Sequence, residues 1–98
     1  MIKRQRNPHI EFSKLFNKQL RKAPREIKIA FRDTLILFLD NPNNGHLRNH
    51  ALRRGYAGHR SFNVTEDWRA IFIEKIDQEG NKTVVFKLIG THNQLYKR

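Results

Sequence analysis

Residues 68–92 read WRAIFIEKIDQEGNKTVVFKLIGTH. Two runs rich in β-branched and aromatic residues, 68–76 and 82–92, flank the loop DQEGN with Gly80 as its hinge. That layout predicts two antiparallel strands joined by a short connection. Just upstream, HRSFNV (59–64) sets Phe62 and Val64 among unlike neighbours, which is strand alternation, and TED (65–67) supplies a turn. Three sequential, closely connected strands predict an antiparallel meander.

The first half has a different period. Over HIEFSKLFNKQLRK (9–22), Phe12, Leu15, Phe16 and Leu20 recur at helical spacing. Pro24 suits a first helical turn, and Ile27, Ala30, Phe31, Thr34, Leu35 and Phe38 then continue the pattern until DNPNNG (40–45) stops it. The expectation is an antiparallel helical hairpin over residues 9–40, packed across one face of a small antiparallel sheet. MIKRQR (1–6) is expected to add a short edge strand. The fold class is α+β, in a single domain spanning residues 1–98.

Lysine and arginine number 20 against 9 acidic residues, a formal charge of +11. Residues 1–50 hold 11 basic and 4 acidic side chains, and residues 51–98 hold 9 and 5, so the excess belongs to the whole body and not to a tail. Such a balance implies a polyanionic partner, a nucleic acid or an acidic protein segment. Cysteine is absent, which excludes disulfides and thiolate zinc sites and suits a reducing cytoplasm. TLILFL is far too short to span a membrane, and the basic N-terminus lacks the apolar stretch of a signal peptide. A cytoplasmic location and no membrane partner are expected.

Antiparallel pairing gathers polar residues that are distant in sequence. His50, Arg53 and Arg54 precede the first strand of the meander, which carries Arg60 and Asn63; Asp67 lies in the turn, and Trp68 and Arg69 begin the next strand. The last strand ends near His92 and Tyr96, beside the start of its neighbour, so His92 is expected to approach Arg69 and Asp67. This set suits RNA cleavage by internal attack. Histidine can move the protons at the 2′-OH and at the leaving 5′-oxygen. Arginine can grip the phosphate and stabilise its developing charge. Asp67 can orient a histidine or act as a base, and Tyr96 can stack on a base or bond a phosphate. No metal or other cofactor is expected, since the histidines at 9, 46, 50, 59 and 92 show no paired-ligand spacing on one helix. Trp68 has an alternative role as a core aromatic, Asp67 as a turn cap, and Gly55 and Gly58 as loop formers.

HALRRGYAGHRSFNVTEDWRAIF (50–72) followed by FKLIGTHNQLY (86–96) resembles the RelE/ParE superfamily of type II toxin–antitoxin toxins, most of all its YafQ-like branch. The shared marks are His50 and Leu52, Gly58 with Arg60, Val64 with Asp67-Trp68, and Gly90-Thr91-His92 with Leu95 and Tyr96. The resemblance implies a messenger-RNA endonuclease, ribosome-associated or free, that is silenced by a cognate antitoxin; the ribosomal A site is its expected place of action. It implies acid–base work for His50, Asp67 and His92, charge stabilisation by Arg69, and RNA positioning by Trp68, Tyr96 and the basic position Arg60. Asn63 departs from the branch, which has histidine there, and an amide cannot shuttle protons near neutral pH. The partner it implies is an acidic, partly disordered antitoxin segment that covers the basic cleft, with DNA bound only through the antitoxin complex. The ParE branch offers a different function on the same fold, non-enzymatic inhibition of DNA gyrase, which needs no histidines.

Overall fold

The structure, a computed structural model, describes residues 8–96. The chain runs β1 (His9–Phe12), α1 (Lys14–Lys22), α2 (Arg25–Asp40), β2 (His50–Ala51), a 3-10 turn at Arg54–Tyr56, β3 (Arg60–Asn63), β4 (Trp68–Ile76), β5 (Lys82–Thr91) and α3 (His92–Leu95). The strands form one sheet in the order β1-β5-β4-β3-β2. The expected meander is β3–β4–β5, antiparallel throughout, with β2 added antiparallel to β3. Among the described residues no helix is long and apolar enough to cross a membrane.

Two expectations need correction. Residues 9–12 are not the start of the first helix but a strand, and β1 lies parallel to β5, which makes the sheet mixed. Ser13 sets the boundary. Its backbone N–H bonds the Phe86 carbonyl at 2.9 Å, while its extended backbone lets the hydroxyl accept the Phe16 N–H at 3.0 Å as a helix cap. The spacing misleads because Phe12 still meets Phe16, with ring centroids 5.5 Å apart, although one is on a strand and the other on a helix. The strand expected at residues 1–6 lies outside the described residues; among the described residues β1 is the edge strand beside β5.

The second helix follows its sequence closely. Pro24 forces Ala23 into extended backbone (ψ 155), which ends α1 and turns the chain into α2. α2 buries Ile27, Phe31 and Phe38 and stops at Asp40 before Asn41-Pro42. At the β4–β5 turn the Asp77 carboxylate accepts the backbone N–H groups of Asn81 and Glu79, each at 2.9 Å. Those donors, Asn81 foremost, hold its carboxyl below the usual carboxylate range. Gly80 supplies the positive φ, 85°, that the turn requires.

The core is aromatic. The chain has seven phenylalanines, and the ring of Phe86 lies within 6.2 Å, centroid to centroid, of all six others. Phe62, Ala70, Phe72, Val84 and Phe86 put this cluster on the sheet face covered by α1 and α2. A register shift between Ile71 and Phe72 keeps the faces of β4 and β5 aligned. The opposite face carries Ser61, Asn63, Arg69 and Ile71, paired as Ser61↔Ile71 and Asn63↔Arg69. Phe86→Ala is expected to cost about 3–5 kcal/mol, a large share of the stability of a small domain, and urea unfolding monitored by circular dichroism measures it.

Candidate active site

The last strand ends by folding back over its own sheet. At Gly90 an added Cβ would lie 3.0 Å from Gln94 Oε1 and 3.3 Å from the Leu95 side chain, so α3 sits where a side chain would stand. Thr91 caps the turn: its hydroxyl accepts the Gln94 N–H at 3.1 Å, and Gln94 Oε1 accepts the Thr91 N–H at 2.8 Å. His92 is therefore the first residue of α3, and its backbone N–H bonds the Asp67 carbonyl at 2.8 Å. The expected approach of His92 to the β3–β4 turn is thus present, made through the backbone of Asp67.

A cleft of about 560 Å³ opens beside α3. The segment around β2 contributes Arg48, Asn49, His50 and Leu52, the sheet contributes Asn63 and Arg69, and the C-terminal turn contributes His92 and Tyr96. Five of the residues singled out in the sequence converge here: His50, Asn63, Arg69, His92 and Tyr96. Strand alternation removes two others. Arg60 pairs with Phe72 and Trp68 precedes Ala70 by two, so both belong to the face packed by helices. Trp68 packs against the core cluster, and Arg60 donates from Nε to Asn49 Oδ1 at 2.9 Å, holding a cleft residue from outside. Asp67 is exposed in the turn, and Arg53 and Arg54 are exposed on the loop between β2 and β3; none of the three lines the cleft. In that loop Gly58 has φ 84, so its role is conformational.

Arg69 is clamped. One terminal nitrogen, Nη1, donates to the carbonyls of Thr65, Glu66 and Trp68 at 3.0, 2.8 and 3.1 Å, which fixes the guanidinium plane against the turn. Among the described residues the ion pairs are His9–Glu11 and Lys82–Glu74, both away from the cleft, and no carboxylate lines it. Its cationic side chains are therefore free to meet an anion. The Nδ1 of His50 lies 2.7 Å from the Arg48 carbonyl oxygen. A carbonyl only accepts, so Nδ1 carries a proton, and the neutral ring keeps its lone pair on Nε2, the form a general base needs. His92 is exposed, with its ring 4.7 Å from that of Tyr96. Among the described residues no three histidine, aspartate or glutamate side chains converge as a metal ion requires.

Sequence reasoning missed Arg48 and Asn49, which line the cleft, and Tyr56, which braces its wall. For Arg48, its basic side chain two residues before His50 was the available signal. Tyr56 donates its hydroxyl to the Leu95 carbonyl at 2.7 Å and meets Tyr96 edge-on at 5.8 Å. Tyr96 in turn donates to the fully buried Ser61 hydroxyl at 3.2 Å. Two tyrosines thus tie the end of α3 to the loop and to the sheet. A tyrosine between two glycines in a polar loop was the visible hint.

No family model and no curated protein sequence matches this chain. Solved structures do. The chain is similar to YafQ from Escherichia coli strain BL21(DE3), with a TM-score of 0.71 and 25% identity over 91% of this chain and 98% of that one. It is similar to the E. coli DinJ–YafQ toxin–antitoxin complex, with a TM-score of 0.70 and 23% identity over 92% of this chain and 98% of that one. The Mycobacterium tuberculosis toxin–antitoxin complex RelBE2 aligns with a TM-score of 0.59 and 25% identity over 88% of this chain and 99% of that one. The fold is that of the RelE/ParE-like toxins. Within that class the likeness extends to YafQ. Tyr56→Phe leaves the Leu95 carbonyl without its donor and is expected to lower stability by about 1 kcal/mol, as measured by thermal melting.

Proposed function

We propose that this protein is the toxin of a type II toxin–antitoxin system, an endoribonuclease that cleaves messenger RNA in the ribosomal A site without a metal ion. The observation that carries the reading is the composition of the cleft: two histidines and a clamped arginine, with no carboxylate among the described residues that line it. His50 Nε2 takes the proton from a ribose 2′-OH, and the 2′-oxygen attacks the adjacent phosphorus. The guanidinium of Arg69 stabilises the charge gathered on the phosphoryl oxygens. The bond from phosphorus to the 5′-oxygen breaks, and protonated His92 gives that oxygen its proton. The products are a 2′,3′-cyclic phosphate and a free 5′-hydroxyl.

Asn63 faces the same cleft and serves as a neutral donor to a phosphate oxygen or a water, which leaves both proton transfers to His50 and His92. Tyr96, held against His92 and Ser61, offers a ring for a base to stack on. Asp67 contributes through its carbonyl, which holds His92 in place. Outside the cleft, Arg53 and Arg54 extend the basic surface toward the RNA backbone, and the charge of +11 suits a site walled by ribosomal RNA. DinJ–YafQ and RelBE2 are complexes with antitoxins, and the same charge suits an acidic, partly disordered antitoxin segment laid over this cleft.

His92→Ala and His50→Ala are each expected to lower cleavage roughly 10²-fold, read by primer extension on a translated message. Unchanged cleavage would remove that histidine from the chemistry. Analysis of the RNA ends is expected to find 2′,3′-cyclic phosphate. Inhibition of DNA supercoiling by gyrase, with the message intact, would instead support the ParE-type activity. A mixture with the product of the neighbouring small gene is expected to elute as one complex in size exclusion, and separate elution would sink the antitoxin assignment.

A further inference from the structure

We propose that Arg48 is a ligand for a backbone phosphate of the bound RNA, held in the cleft by a strained backbone that its side chain justifies. The inference rests on the nuclease reading for its ligand and on the following geometry for the residue. Arg48 has φ 50, in the left-handed region that non-glycine residues seldom occupy. The fold imposes this turn. Leu47 is fully buried, and its carbonyl accepts the Asn63 N–H at 2.7 Å. His50 must then pair with Ser61 in β2. The chain leaves the core at Leu47 and joins the sheet at His50, and the kink at Arg48 makes the connection. It also aims the Arg48 carbonyl at His50 Nδ1, 2.7 Å away.

Any residue supplies a carbonyl, and glycine would adopt this backbone without a Cβ penalty. Arg54 on the outer loop has a positive φ as well, 58°, so it is the combination at Arg48, a strained backbone with a side chain that lines the cleft, that points to a task. The Arg48 side chain is exposed, lines the cleft with His50, Arg69 and His92, and has no carboxylate partner among the described residues. Arg69 is held rigidly against its turn, whereas Arg48 reaches in from the opposite chain segment. Two guanidinium groups from separate elements can hold a flexible single strand at two points, which fixes the reacting phosphate between the histidines.

The test uses the full chain and a 2′-O-methyl single-stranded oligoribonucleotide, which cannot be cleaved by 2′-oxygen attack. Fluorescence anisotropy over a salt series gives the affinity and its salt slope. Arg48→Ala and Arg48→Gly are both expected to bind about tenfold more weakly, with the slope of log affinity against log salt reduced by about 0.7. Arg48→Lys is expected to lose less, because it keeps the charge. Thermal melts supply the second reading. Alanine keeps the strain and glycine relieves it, so Arg48→Gly is expected to melt above Arg48→Ala, the reverse of their usual order. Variants that bind as the wild type does, or an alanine variant that melts at or above the glycine one, overturn the proposal. Wild-type protein that fails to bind the oligonucleotide overturns this proposal for RNA free of the ribosome, and the nuclease reading is tested separately by primer extension on a translated message; wild-type binding matched by the variants overturns only the role of Arg48.

Discussion

Phe86 organises this protein. Its ring, on β5, meets the other six phenylalanines, which come from β1, α1, α2, β3 and β4. Aromatic side chains of this size bury more apolar area per residue than any others, so a small chain can build a core from few positions. Because every second residue of a strand faces the same way, fixing Phe62, Phe72 and Phe86 toward the helices fixes their neighbours toward the other side. The cleft face is the complement of the core face. A one-residue slip in β3 or β4 would bury Asn63 and Arg69 and expose Phe62 and Phe72.

The second face would be an open surface if β5 simply ended. Gly90 permits the backbone of α3 to lie on the sheet, and the Thr91–Gln94 capping pair turns the chain there. Leu95 is buried against that face, while Tyr56 and Tyr96 bond α3 to the loop and to Ser61. The run Gly-Thr-His-x-x-Leu-Tyr thus has a structural logic from end to end. Glycine admits the helix, threonine caps it, leucine seats it and tyrosine ties it, so that histidine stands at the rim of the cleft. The helix has four residues, and it holds because its ends are bonded to other elements and not because of its own propensity.

Charge is distributed differently from what the count of arginines suggests. Of the arginines near the meander, Arg69 and Arg48 face the cleft, Arg60 braces Asn49 from the opposite side, and Arg53 and Arg54 stand on the outer loop. Hydrogen bonds to backbone carbonyls hold Arg69 and set the His50 tautomer. A carbonyl orients a cation without neutralising it, so the cleft keeps its positive charge.

The sequence alone determined the β3–β4–β5 meander, the limits of α2 and the meeting of His92 with the Asp67 turn. Those follow from local period, from proline, glycine and asparagine at the breaks, and from antiparallel adjacency, all of which act over short stretches of chain. The resemblance in residues 50–96 pointed to the same toxin fold that the solved structures share. Tertiary structure decided what depends on distant partners. Residues 9–12 became a strand because β5, 74 positions away by the Ser13–Lys87 contact, offered its edge. Arg60 and Trp68 left the candidate site because the phenylalanine core chose their face, while Arg48 came to line it and Tyr56 to brace it through the turn at Leu47 and the bond to Leu95. Helical spacing and a strand-to-helix step can place the same two phenylalanines together, and long-range hydrogen bonds break that tie.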